Sequence, residues 1–136
     1  MKRRTSGGHE KLLALAREAM TRAYAPYSRF SVGAAVEAQD GSVFTGANVE
    51  NASYGLTMCA ERVALFTAVA AGKRRLTRIA VVSSNGGATY PCGACRQALH
   101  EFSHELEVIV DDGKGGAEIT TLSGLLPKAF GPADLA

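Results

Sequence analysis

Three cysteines and one glutamate carry the residue types best suited to chemistry in this chain. Cys59 and Glu61 stand two apart, and Cys92 and Cys95 stand three apart. Residues three apart on a helix sit about 60° from each other around its axis, so Cys92 and Cys95 face one way. A C-x-x-C pair alone is compatible with a redox couple, half of a zinc site, or chance. The redox arrangement is expected after the first strand of a thioredoxin-like unit, whereas this pair follows the third expected strand. Three thiols without a fourth suit a metal site with one open position. Zinc takes thiolates at ~2.3 Å and keeps a place for water in catalytic sites, and soft donors favour it over hard cations. His100 lies roughly 12 Å along a helix axis from Cys92, His104 lies farther, and His9 belongs to a remote helix. All three histidines are expected at the surface. Glu61 has two readings: a first-turn carboxylate satisfying a helix dipole, or a proton carrier beside the thiols.

The elements that must position these residues follow from periodicity. Residues 9–24 place Leu12, Leu13, Leu15, Ala16, Ala19, Met20 and Ala23 at helical spacing, with Pro26 as the stop. Residues 30–38 alternate, with Val32, Ala34 and Val36 on one face. Asp40-Gly41 signals a turn and 42–46 the return strand. Residues 48–57 are rich in Asn and Ser without a period, a loop long enough to point to function. A helix over 59–71 is capped by Gly72, and 76–84 read as a buried strand. Pro91 opens a helix over 92–103. Strands follow over 106–110 and 117–121, then a short helical turn over 123–126. This order predicts an α/β fold, one sheet with helices on its faces. The strands around the second and third helices should run parallel, because each helix is a crossover. The ends read as antiparallel hairpins, which makes the sheet mixed.

Composition bounds the function class. The 136 residues, 46% hydrophobic and 21% charged, fit one globular domain, expected over 9–136 with residues 1–8 as a flexible extension. A net charge of +2, no Trp and 7% aromatics do not fit a nucleic-acid partner. The densest basic run, Lys73, Arg74, Arg75 and Arg78, reads as a solvated turn after a helix. No apolar run approaches ~18 residues, so no membrane-spanning helix is expected. The start, Met1-Lys2-Arg3-Arg4, leads into polar residues and lacks the apolar stretch of a secretory signal. An odd cysteine count argues against a disulfide framework. A cytoplasmic protein is therefore expected.

Together, Cys59-Ala60-Glu61 and Pro91-Cys92-Gly93-Ala94-Cys95 match the signature of the zinc deaminases in its three-cysteine form. The chain resembles the small cytidine deaminases that act on free nucleosides. The resemblance runs from Ala23-Tyr24-Ala25-Pro26-Tyr27-Ser28, through Asn48-Val49-Glu50-Asn51-Ala52-Ser53-Tyr54, to Leu125-Leu126-Pro127-Lys128-Ala129-Phe130. It implies a three-layer α-β-α cytidine-deaminase-like fold with a five-stranded mixed sheet. It implies one Zn2+ per chain, held by Cys59, Cys92 and Cys95. The implied reaction is hydrolytic deamination of cytidine and deoxycytidine to uridine and deoxyuridine with release of ammonia, a step of pyrimidine salvage.

That chemistry needs water to attack C4 of the ring, and zinc brings the pKa of water toward ~7. N3 must accept one proton and the leaving amine another, and the resemblance gives Glu61 the task of carrying both, taking the proton from water and passing it on. Zn2+ with three thiolates is net negative, so positive groups should offset it. The helix starts at Cys59 and Cys92 are two. Arg62, by resemblance, hydrogen-bonds a ligand sulfur, with Arg96 second. Phe30 would stack on or border the pyrimidine, and the backbone of Ala60 would read the base carbonyl. Asn48 and Glu50, two apart at a strand end, would hold ribose hydroxyls. Ala52, Tyr54 and Phe130 match positions lent by neighbouring subunits in the homotetramers of the family. Tyr90 departs from a pattern that often has Ser or Thr before the Pro-Cys pair. Tyrosine is tolerable there if that position acts through its backbone carbonyl, and it alters turnover or substrate range if a small hydroxyl is needed. The rival readings are a deaminase of another small aminopyrimidine-like nucleoside, a deaminase of bases in RNA or DNA, and a non-catalytic structural zinc module.

Overall fold

The computed structural model describes residues 7–135. Helix α1 (Gly7–Met20) precedes strands β1 (Val32–Ala38) and β2 (Val43–Ala47). Helix α2 (Ala60–Ala70) leads to β3 (Leu76–Ser83), and helix α3 (Gly93–His100) to β4 (Glu107–Asp111). Strand β5 (Ala117–Thr121) and the short helix α4 (Leu122–Leu125) follow. Strand order is β2-β1-β3-β4-β5. β1 is antiparallel to both β2 and β3, β3 is parallel to β4, and β4 is antiparallel to β5.

Alternation along the strands sends side chains to opposite faces, and both faces are covered. On one, α1 packs Leu12, Leu13 and Ala16 against Ala35, Ala80, Val82 and Ile109. On the other, Ala64, Leu65 and Ala68 of α2 and Leu99 of α3 meet Val36, Ile79, Val81 and Val108. Burying each large aliphatic side chain contributes roughly 1.5–3 kcal/mol. The result is the expected three-layer arrangement with a five-stranded mixed sheet. Glycine permits the closest approaches. A Cβ at Gly33 would stand 2.0 Å from the Ala16 carbonyl oxygen, and one at Gly46 would stand 2.5 Å from the Ala64 nitrogen.

Several expectations shift, each for a physical reason. The first helix starts at Gly7, so only residues 1–6 of the expected extension lie outside the described residues. It stops at Met20 because the Tyr24 backbone is committed elsewhere: its N–H donates to Asn48 O (3.0 Å), and its carbonyl accepts from Glu50 N (2.8 Å). β1 starts at Val32 and not at residue 30, since the Phe30 N–H donates to Ser28 Oγ (3.0 Å) and its carbonyl accepts from the Asn48 amide (2.8 Å). The strands around the second helix do run the same way, but β1 lies between them. The expected loop over 48–57 is closed by pairing of Val49 with Met58 and contains a 3-10 turn at Tyr54–Leu56. His9 and His100 are buried, against expectation. His9 Nε2 lies 2.7 Å from Glu107 Oε1, and His100 stacks on His104 with ring centroids 4.2 Å apart. Much of the basic run is paired: Lys73 with Asp40 (2.6 Å) and Arg78 with Glu37 (3.0 Å). Among the described residues, no helix is long and apolar enough to cross a membrane.

Candidate metal centre and active site

Topology brings the functional side chains together. β2 and β3 point the same way, so the helices that follow them, α2 and α3, begin at the same end of the sheet. β1 runs oppositely and therefore starts at that end, beside Phe30. Cys59 and Cys92 are the residues that cap the two helices. Both have extended backbone (φ −74°, ψ 150° and φ −67°, ψ 168°) and make no side-chain capping bond. Their carbonyls accept the first helical N–H groups, from Val63 (3.1 Å) and Arg96 (2.9 Å). The thiols are thus left to face each other near two positive helix ends.

Cys59 Sγ and Cys92 Sγ are 3.8 Å apart, and Cys92 Sγ and Cys95 Sγ 3.5 Å. The three sulfurs lie within 4.8 Å of one another, and they are the one such group among the described residues. Sulfurs at ~2.3 Å from a tetrahedral zinc would be roughly 3.8 Å apart, so the trio fits the ion. Cys59 is drawn down to about 5 by hydrogen bonding from Cys95, then from Arg62 and Cys92. Cys95, bonded to Cys59 and buried, is pushed well above the usual thiol range. Cys59 and Cys95 therefore share a proton, which a metal ion would displace. Arg62 Nη2 donates to Cys59 Sγ at 3.6 Å, the contact that the sequence reading gave it.

Glu61 sits in the first turn of α2, only 4% exposed. Burial, and then the Cys59 charge, pushes its carboxyl up to about 7. It lines a cavity of about 210 Å³ together with Cys59, Cys92, Ala60, Phe30 and Asn48. Asn48 is committed in part: Oδ1 accepts from Val32 N (2.9 Å) and Nδ2 donates to Phe30 O (2.8 Å). It thereby holds Phe30 at the cavity wall. Glu50 and Tyr54 line a separate, adjoining hollow of about 360 Å³, with Thr57 on the wall of both. The Glu50 carboxylate accepts from Tyr27 N (2.9 Å), Ser28 N (3.1 Å) and the Ser28 hydroxyl. Hydrogen bonding from Ser28 is the main cause that holds its pKa below the usual range. Asn48 and Glu50 line different hollows, although the segment that carries them is extended, with Val49 between them bridged to Tyr24 and to Met58. Ala52 and Phe130 are exposed and line neither cavity.

Residues 6–110 match the family model described as the cytidine and deoxycytidylate deaminase zinc-binding region. The chain belongs to this deaminase family. A cytidine deaminase of Sporosarcina psychrophila is 47% identical over 127 residues, covering 93% of each chain. One from Mycobacterium tuberculosis is 46% identical over 120 residues, covering 88% of this chain and 87% of the other. The crystal structure of cytidine deaminase from Burkholderia pseudomallei superposes with a TM-score of 0.85 at 51% identity, covering 90% of this chain and 98% of that one.

Within this deaminase fold, two predicted side chains have other partners. The Arg96 guanidinium donates to the carbonyls of Pro91 (2.7 Å) and Leu125 (2.9 Å) and thus braces the turn before α3 instead of a sulfur. The Tyr90 hydroxyl donates to Glu118 Oε2 at 2.9 Å. Sequence reasoning missed Val32, Thr57, Met58 and Thr89, which complete the cavity wall. Thr57 and Met58 directly precede Cys59, and that adjacency was the available signal.

Proposed function

We propose that the chain is a zinc-dependent hydrolase that deaminates cytidine and deoxycytidine to uridine and deoxyuridine, releasing ammonia for pyrimidine salvage. One observation carries the reading: a buried carboxylate, Glu61, opens into the same cavity as Cys59 and Cys92, two members of a three-sulfur cluster. Zinc, when bound by Cys59, Cys92 and Cys95, supplies a Lewis acid that makes water a competent nucleophile at neutral pH. Glu61 takes the proton from the attacking water. It delivers that proton to N3 of the ring, then carries a second proton, from the hydroxyl now on C4, to the amine, which leaves as ammonia. A carboxyl raised toward neutrality by burial is suited to carry protons in both directions. Arg62 and the starts of α2 and α3 offset the negative charge of the thiolates. Phe30, held by Asn48, borders the pyrimidine, and the Ala60 backbone meets the base carbonyl. Glu50 and Asn48 take the ribose hydroxyls, with the Glu50 carboxylate as an acceptor.

We further propose a cytoplasmic homotetramer. Tyr54 and Phe130 are 77% and 60% exposed, which fits aromatic side chains that complete a neighbour's site together with Ala52. A reducing compartment keeps the three thiols available for metal.

The decisive experiment follows the cytidine absorbance band and bound zinc in parallel, for the chain and for Glu61→Gln. Wild type should release ammonia with about one zinc per chain. Glu61→Gln should keep the zinc and lose about 10²–10⁴-fold in turnover. Loss of zinc with the glutamate would instead mark a structural zinc module in which Glu61 is a ligand. Zinc present in the unaltered chain without cytidine turnover would redirect the reading to another aminopyrimidine-like nucleoside.

A further inference from the structure

We propose that Tyr90 is a positioning residue for the metal centre: its hydroxyl, bonded to Glu118 on β5, fixes the turn that presents Cys92. This rests on the reading that the three thiolates hold zinc.

The three sulfurs are not held equally. Cys59 precedes Ala60 and Ala64, both fully buried, so the start of α2 is locked into the core. Cys95 is itself fully buried in the first turn of α3. Cys92 is exposed and stands between the fully buried Pro91 and the start of α3, at the end of the irregular segment 84–92. Its position depends on the residues just before it. Thr89 Oγ1 pairs with Ser83 Oγ (2.5 Å), and the Pro91 carbonyl accepts from Arg96 (2.7 Å). The first tie is local in sequence; the second reaches farther, because the same guanidinium donates to the Leu125 carbonyl (2.9 Å) on α4. The Tyr90–Glu118 bond joins the turn to β5, the edge strand of the sheet.

Period-two alternation explains why Glu118 can reach. Ile119 packs on the α1 side of the sheet, so Glu118 points to the side that carries α2 and α3. Its backbone register is set opposite Val110 in β4. The Tyr90 ring packs on the core formed with α2 and α3 and also borders the Glu61 cavity. A phenol donating to a carboxylate is a charge-assisted bond, stronger than a neutral pair. Residue 90 precedes a proline, which already favours extended backbone. The side-chain bond then selects where that extended segment lies. A donor that must be gathered from many positions binds its ion more weakly than one already in place.

The test uses the zinc-loaded chain and four variants: Tyr90→Phe, Glu118→Ala, the two combined, and Glu118→Gln. Zinc transfer to a chromophoric chelator is timed, and the thiolate-to-metal band is recorded after cobalt substitution. Tyr90→Phe and Glu118→Ala should each release zinc about tenfold faster and should shift the cobalt band. The combined variant should be no faster than either single one, as expected for two ends of one bond. Glu118→Gln keeps an acceptor oxygen and should stay close to the unaltered chain. Denaturant midpoints are measured alongside: a general weakening of the fold lowers them without moving the cobalt band. Unaltered zinc release and cobalt band in Tyr90→Phe, or additive effects in the combined variant, would overturn the proposal. If the unaltered chain holds no zinc, the zinc reading falls as well; if it holds zinc and Tyr90→Phe behaves identically, only the role of Tyr90 falls.

Discussion

Burial acts on Glu61 in two ways. It turns an ordinary carboxylate into a base matched to neutral pH, and it makes the ionised form costly to the fold. The carboxyl has an ordinary value near 4.5 and is pushed to about 7 in place. Between those values the folded chain keeps a proton that the unfolded chain has released. The associated stability is fully present below about pH 4.5 and is lost as the pH rises through 7. In chain stripped of metal by a chelator, Glu61→Gln should therefore gain on wild type as pH rises. The gain should reach the order of 2–3 kcal/mol at pH 8, read as the difference in urea midpoints at pH 5 and pH 8. A difference that does not change with pH would mean that burial does not govern this carboxyl. Cys59 acts in the opposite sense, since its lowered pKa adds stability as the pH rises; it is present in both chains, and its charge is part of what raises Glu61. The same scale shows where residue-type reasoning stops. Asn48 and Glu50 were expected as ribose ligands by resemblance to the family. Their polar atoms also hold the backbone of Phe30, Val32, Tyr27 and Ser28, which no local pattern announces.

At the scale of elements, the site depends on how closely α2 lies on β2. The start of α2 carries Cys59 and Glu61, and Gly46 lets it approach, since a Cβ there would meet Ala64 N at 2.5 Å and Ala60 O at 2.6 Å. These are backbone atoms of the helix, so the clash can be relieved only by moving α2. Gly46→Ala should lower stability by about 3 kcal/mol and weaken zinc binding with it, measured by denaturant midpoint and chelator competition. A midpoint within 0.5 kcal/mol of the parent, the range of ordinary surface changes, would show that α2 moves freely there. Periodicity identified every helix and strand of the sheet. It misplaced the end of α1 and the start of β1, because Tyr24 and Phe30 bond to residues 48–50, far away in sequence.

For the whole molecule, the open question is whether one chain completes another's site. Phe130 has its carbonyl tied to Gln97 (2.8 Å), but its ring is 60% exposed. Glu61→Gln and Phe130→Ala chains, each with low activity alone, should regain activity when dissociated and reassembled together. Mixed assemblies would contain sites with both an intact Glu61 and a donated Phe130. No regain in mixtures shown by sedimentation to be co-assembled would assign Phe130 to local packing. By itself, the sequence determined the three thiols, the neighbouring glutamate, the order of elements and the family they imply. Those are local properties, written in residue type, spacing and period. Only the tertiary structure decided that β1 lies between β2 and β3, that Glu50 and Glu61 line separate hollows, and that the Tyr90 hydroxyl bonds to Glu118 and the Arg96 guanidinium to backbone carbonyls. Each of these depends on which distant backbone and side-chain groups meet once both faces of the sheet are covered, and hydrogen-bond partners far apart in the chain leave no trace in local periodicity.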